Sequence, residues 1–128
     1  MTHENEKLAR ELYAAFAQGD LEAVLAMCDD GIVFDVPGRA PISGRHTKAD
    51  FGEWIGQVMQ ISGGTFQEDV LDVLVSDERV LVVLDHHFEK NGTPVQYHTA
   101  HLWRLKDGRF TEFRELPDDQ DAFTAVWS

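Results

Sequence analysis

The stretch "HLWRLKDGRFTEFRE", residues 101–115, decides how the C-terminal half of this chain folds. Two runs of bulky residues flank Lys106-Asp107-Gly108, a pattern that reads as a β-hairpin. His101 stands near one end and Glu115 near the other. Side chains alternate along a strand, so the register decides whether these two share a face. A two-residue Asp-Gly loop pairs His101 with Arg114 and sends Glu115 to the opposite face. A three-residue loop, a type I turn closed by a glycine bulge, pairs Leu105 with Arg109 and His101 with Phe113. Glu115 then lies opposite Thr99 and diagonal to His101, roughly 7–8 Å away at the backbone. Composition favours the three-residue loop. It groups Tyr97, Thr99, His101, Trp103 and Leu105 with Thr111, Phe113 and Glu115. The other face receives Ala100, Leu102, Arg104, Phe110, Glu112 and Arg114.

The preceding hairpin has a stronger signal. Asn91-Gly92 predicts a two-residue type I′ loop, with Lys90 opposite Thr93. Counting back, His86 faces Tyr97, Leu84 faces Thr99 and Val82 faces His101. Upstream, the runs "DVLDVLVS" and "RVLVVLDHHFEK" complete four strands rich in β-branched and aromatic residues.

The first third is helical. Leu8, Leu12, Ala15 and Phe16 recur at three- and four-residue spacing. Gly19 ends that helix and Asp20 can cap the next, whose stripe is Leu21, Val24, Leu25 and Cys28. "IVFDVP" is a short strand stopped by Pro37-Gly38. Thr47-x-x-Asp50 resembles a capping box for a third helix, buried through Phe51, Trp54, Ile55, Val58 and Met59. The chain closes with a short helix in "DDQDAFTAVW". Helices followed by a meander predict an α+β fold, with the helices on one face of a curved sheet.

The 128 residues suit a single domain spanning 1–128. No stretch approaches the roughly 18 apolar residues of a membrane span, and the start lacks the apolar run of a secretory signal. The one cysteine, Cys28, excludes an intrachain disulfide and reads as a packed core thiol. A cytoplasmic setting fits. Net charge is −12 with only 11 Lys and Arg, which argues against nucleic acid as a partner.

The inner face of the meander is mostly apolar: Val82, Leu84, Phe88, Trp103 and Phe113. His86, Tyr97, Thr99, His101 and Glu115 interrupt it. An apolar cavity with a few convergent polar groups is the make-up of a small-molecule site. The same composition also suits a solid core in which His101 and Glu115 satisfy each other. Metal binding is not expected from the spacing. His86 and His101 share a face but stand about 13 Å apart along the strands.

"GDLEAVLAMCDDGIVFDVPGRAPISGR" (19–45), followed by a helix and the four-strand meander, resembles the SnoaL-like families. The resemblance implies a cone-shaped curved antiparallel sheet wrapped around N-terminal helices, the cystatin-like roll of nuclear transport factor 2. "HLWRLKDGRFTEFRELPD" (101–118) resembles the final hairpin of the SnoaL-like polyketide cyclases. His101 falls on their active-site histidine and Glu115 on their catalytic aspartate, one carbon longer. Set against the related ketosteroid isomerases, Asp35 falls on the general base. Their tyrosine position is nearest Leu12, with Tyr13 one residue off.

The implied chemistry is proton removal from a carbon flanked by carbonyls, followed by cyclisation or isomerisation. It needs neither metal nor organic cofactor. Glu115 would be the acid/base, its pKa raised by burial. His101 would orient the substrate oxygen or the carboxylate. Trp103, Phe113 and Tyr97 would wall a small ligand, with His86, Thr99, Trp54, Phe16 and Leu12 completing the lining. The resemblance also implies a homodimer through the outer sheet face, with Ala100, Leu102 and Phe110. The competing reading is a non-catalytic binding or dimerisation module, its cavity filled by Trp54, Trp103 and Phe113.

Overall fold

The computed structural model describes residues 2–128. Its elements are α1 (Glu4–Ala17), α2 (Leu21–Ala26), β1 (Cys28–Val36), β2 (Gly44–Thr47), α3 (Phe51–Ile61), β3 (Gln67–Val75), β4 (Arg79–Lys90), β5 (Thr93–Lys106), β6 (Arg109–Pro117) and α4 (Gln120–Trp127). Local chemistry sets the helix starts. Asp20 accepts from the Ala23 amide and Asp119 from the Ala122 amide. The Thr47/Asp50 box closes in both directions, with the Asp50 carboxylate on the Thr47 amide at 3.1 Å and the Asp50 amide on the Thr47 hydroxyl at 3.4 Å. It caps the turn that leads into α3.

Two elements differ from the sequence expectation. Residues 44–47 form strand β2, an edge partner of β1 too short and polar to carry a strand signal in its sequence. Cys28 does not continue the α2 stripe. The helix stops at Ala26, and Cys28 opens β1, where the Met27 carbonyl accepts from the Phe110 amide and the Cys28 carbonyl from Arg109. The thiol is still fully buried, and burial pushes its pKa up to about 11.

The six strands form one sheet in the order β2-β1-β6-β5-β4-β3. The β3–β6 meander is antiparallel as expected, as is the β1–β2 pair, while β1 joins the sheet parallel to β6. One face of the sheet packs on the helices, with Val80, Val82, Leu84, Trp103, Phe110 and Phe113 in the core.

The β4–β5 hairpin has the predicted register throughout, including His86 opposite Tyr97 and Val82 opposite His101. Its loop residues Asn91 and Gly92 both have positive φ, 52° and 79°, as a type I′ turn requires. The β5–β6 loop is the same turn. Asp107 and Gly108 have φ of 53° and 76°, and Lys106 pairs with Arg109. The expected three-residue loop is therefore replaced by a two-residue one.

A bulge one step into β6 then changes the outcome. Leu105 pairs with Phe110, but Arg104 pairs with Glu112, leaving Thr111 unpaired. Beyond that point Trp103 faces Phe113 and His101 faces Glu115 directly. An extra residue on one strand flips every later side chain to the other face. Burial explains why it is there. Phe110 and Phe113 are three residues apart, and both are buried, at 0% and 3% exposure. A regular strand would expose one of them. Phe110 thus belongs to the core, and not to the outer face where sequence reasoning put it.

A second bulge repeats the device. Val70 pairs with Leu84 and Asp72 with Val83, so Leu71 is the extra residue in β3. Without it, Glu68 would sit opposite His87 and face outward. With it, Glu68 pairs with His86 on the inner face.

Candidate functional site

Both inward carboxylates, Glu68 and Glu115, owe their position to a one-residue bulge. Each is the end of a hydrogen-bonded chain. In the first, Trp103 Nε1 lies 2.9 Å from the Tyr13 hydroxyl, which is 2.6 Å from His101 Nδ1. His101 Nε2 is 3.0 Å from Glu115 Oε2, and the Thr99 hydroxyl donates to the same oxygen at 2.6 Å. In the second, Trp127 Nε1 lies 2.9 Å from the Tyr97 hydroxyl, 2.9 Å from His86 Nδ1. His86 Nε2 is 2.7 Å from Glu68 Oε2. The two rings meet at 5.4 Å between centroids.

Proton counting fixes the roles. An indole N–H can only donate, so each tyrosine oxygen accepts from its tryptophan. Burial, then the charges of Glu68 and Glu115, raise the pKa of both phenols, so each keeps its proton. That proton points at the histidine Nδ1. Each imidazole then donates from Nε2 to its glutamate, so every N–H and O–H in the two chains has an acceptor.

Burial pulls His101 down, but the charge and hydrogen bond of Glu115, with the charge of Glu68, more than offset it. The net pKa is above the usual value. For Glu115, burial pushes up, while the charge and hydrogen bond of His101, the charge of His86 and the Thr99 hydrogen bond pull further down. The expected rise at Glu115 is thus reversed. A partner 3.0 Å away outweighs desolvation. The carboxylate is held charged by its partners, as a weaker base than a free glutamate.

A cavity of about 70 Å³ lies against these groups. Of the residues expected from sequence, Leu12, Phe16, Trp54, His86, Tyr97, His101, Trp103, Phe113 and Glu115 line it. Thr99 is not on the wall and acts through Glu115. Asp35 does not join them. It alternates with Phe34 and Val36, which face the core, and it sits in the ladder between Arg45 of β2 and Arg114 of β6. A side chain on that face cannot reach the cavity. Trp54 contributes its ring, stacked on His46 at 5.0 Å. Its Nε1 is the only sealed, unpartnered polar side-chain atom among the described residues.

Sequence reasoning missed Tyr13, Glu68 and Trp127. Tyr13 had a signal: it is four residues after Ala9 and three before Phe16, on the buried side of α1. Glu68 had none, because its facing depends on the Leu71 bulge.

The expectation that the histidines are too far apart for one ion is overturned. Donor atoms of Glu68, His86 and His101 lie within 4.8 Å of one another. The 13 Å spacing applies to backbone positions, and on the inner face the two rings lean together. This donor set is chemically able to hold a divalent cation. All four ring nitrogens already have a tyrosine and a carboxylate partner, and a metal would have to displace some of them.

The SnoaL-like domain family matches residues 9–113, and the chain belongs to that family. No curated protein matches it significantly. Among solved structures, Bal32a from a soil-derived mobile gene cassette is 29% identical, with a TM-score of 0.90 and coverage of 98% of this chain and 97% of that one. A cystatin-like protein of unknown function from Xanthomonas campestris is 27% identical, with a TM-score of 0.83 and coverage of 95% and 96%. TerC, co-crystallised with polyporic acid, is 22% identical over 97% and 98% of the two chains, with a TM-score of 0.85, and shares the fold. No helix among the described residues is long and apolar enough to cross a membrane.

Proposed function

We propose that this chain is a cofactor-independent acid/base enzyme acting on a small carbonyl-bearing, polyketide-like molecule, as a cyclase or isomerase. The observation that carries the reading is the buried Glu115–His101 pair beside an aromatic-lined cavity. A charged carboxylate in such a place is costly unless paired. Glu115 Oε2 takes both hydrogen bonds, from His101 and Thr99. Oε1 has no partner and is not sealed away. It is the atom to take a proton from a carbon flanked by carbonyls. His101 passes charge relief back through Tyr13, whose hydroxyl can turn to accept from Nδ1 when the imidazole is protonated.

The cavity limits the ligand. At about 70 Å³ it is far smaller than the roughly 300–1,000 Å³ of drug-sized ligand sites. A single ring fits best. Phe16, Phe66 and Tyr97 are only half-buried and would move for anything larger. The small volume also favours a second reading, a non-catalytic module on the same fold.

The test is Glu115→Gln against a panel of small 1,3-dicarbonyl compounds, followed by solvent deuterium exchange at the activated carbon. The variant should lose exchange while keeping the fold. Full exchange in the variant removes Glu115 from the chemistry, and no exchange in the natural chain favours the binding module.

We further propose that two copies pair through the outer sheet face. Leu74 and Leu116 are 50% and 40% exposed there, beside Ala100 and Leu102.

A further inference from the structure

The outer face carries a second cluster of ionisable side chains, unconnected with the cavity. Asp69 of β3 lies directly opposite Asp85 of β4. Like charges in that relation destabilise a sheet. Asp85 is 8% exposed, so solvent screens it poorly. Among the described residues, the ionic neighbours of the two carboxylates are histidines, with no Lys or Arg.

His87 Nδ1 stands 3.5 Å from Asp85 Oδ2 and 3.6 Å from Asp69 Oδ2. Those separations are too long for good hydrogen bonds. They are close to the edge of a tetrahedron built on metal–ligand bonds of about 2.0–2.2 Å, which is roughly 3.3–3.6 Å. The other ring nitrogen of His87 lies 2.8 Å from Gln67 Oε1. An N–H donated there leaves Nδ1 as a bare lone pair, aimed at two anions. This is how an outer partner orients a metal-binding histidine. Asp85 is held from the far side, since the Gln96 amide reaches its two oxygens at 3.0 and 3.1 Å. A lone pair and two carboxylates around one point repel each other unless a cation lies between them.

We propose that Asp69, Asp85 and His87 bind a divalent transition cation of the zinc class. His98 Nε2, 3.5 Å from the other Asp85 oxygen, is within reach of a fourth position. The ion would clamp β3 to β4 on the face opposite the cavity. It is separate from the acid/base chemistry, because His86 and His87 point to opposite sides of the sheet.

The experiment is equilibrium dialysis of the metal-free full chain against Zn²⁺, with Co²⁺ absorbance as a probe of tetrahedral ligation. One ion per chain is expected. His87→Gln and Asp69→Asn, both at exposed or half-buried positions, should each weaken binding at least tenfold. Glu68→Gln alters only the inner cluster and should leave binding unchanged. Uptake below one ion per chain overturns the proposal. Binding lost in Glu68→Gln but retained in His87→Gln also overturns it, placing the ion in the cavity.

Discussion

Tyr13→Phe removes one oxygen atom and breaks two buried hydrogen bonds. The Tyr13 hydroxyl accepts from Trp103 Nε1 at 2.9 Å and donates to His101 Nδ1 at 2.6 Å. Tyr13, Trp103 and His101 are 8%, 4% and 5% exposed, so water cannot easily replace the lost partner. Each buried group left unsatisfied costs about 1–3 kcal/mol, partly offset by the apolar ring edge that remains. The variant should therefore lose about 2–4 kcal/mol of stability, a large part of the 5–15 kcal/mol typical of a domain. Urea unfolding followed by far-UV circular dichroism measures this, provided the slope against denaturant is unchanged. Trp103→Phe supplies the second arm. In the Tyr13→Phe background the indole N–H is already orphaned, so its removal should cost about 1 kcal/mol less than in the natural chain. Tyr97→Phe is the parallel change in the half-buried chain, where water can enter, and should cost less than Tyr13→Phe. A Tyr13→Phe loss below about 0.5 kcal/mol would refute the claim that this hydroxyl joins Trp103 to His101.

Other consequences follow from the same geometry. Glu115 is held below its ordinary 4.5, so its contribution to stability is present above that value and fades as pH falls through the folded pKa. His101 is held above its ordinary 6.5, so its contribution is complete below that value and fades as pH rises through the folded pKa. The pair should therefore stabilise most between about 4.5 and 6.5, and the stability gap between the natural chain and Glu115→Gln, read by urea unfolding, should be widest there. In Glu115→Gln the His101 resonance should titrate at lower pH than in the natural chain, since burial remains and its main counter-charge is gone. Asn91→Ala removes the short polar side chain that tolerates the left-handed φ of 52° and should cost about 1 kcal/mol in thermal or urea unfolding. If the outer face joins two copies, Leu116→Glu should convert a dimer to a monomer in light scattering, and a dimer that persists would move the interface elsewhere.

The sequence is legible where local chemistry decides and opaque where two distant residues compete for one face. Asn91-Gly92 fixes its loop type by backbone conformation alone, so every pair from Lys90–Thr93 to Val82–His101 follows by counting. Asp107-Gly108 carries the same local signal and makes the same turn. Composition argued for a longer loop because it sensed a real constraint, that aromatics and Glu115 belong on one side. The chain meets that constraint with Thr111 displaced from the ladder, its hydroxyl 3.3 Å from the Arg104 carbonyl, and not with a third loop residue.

The bulges also explain why the site was only half visible. Glu115 could be found because the aromatic pattern of its hairpin demands one extra residue, although the Asp-Gly turn alone would send it outward. Glu68 could not, because the Leu71 bulge lies in the middle of β3 and the Ser76-Asp77-Glu78 connection to β4 carries no diagnostic turn. Asp35 was the opposite error: a carboxylate in a suggestive motif whose facing follows from plain alternation with Phe34 and Val36. In each case the decisive variable is one unit of strand parity. A bulge that buries Phe110 and Phe113 together also carries Glu115 inward, because Glu115 is two residues beyond Phe113 on the same side of the bulge. The apolar driving force, at about 25 cal/mol per Å² of buried ring, thus holds a charged group inside that it could never hold alone.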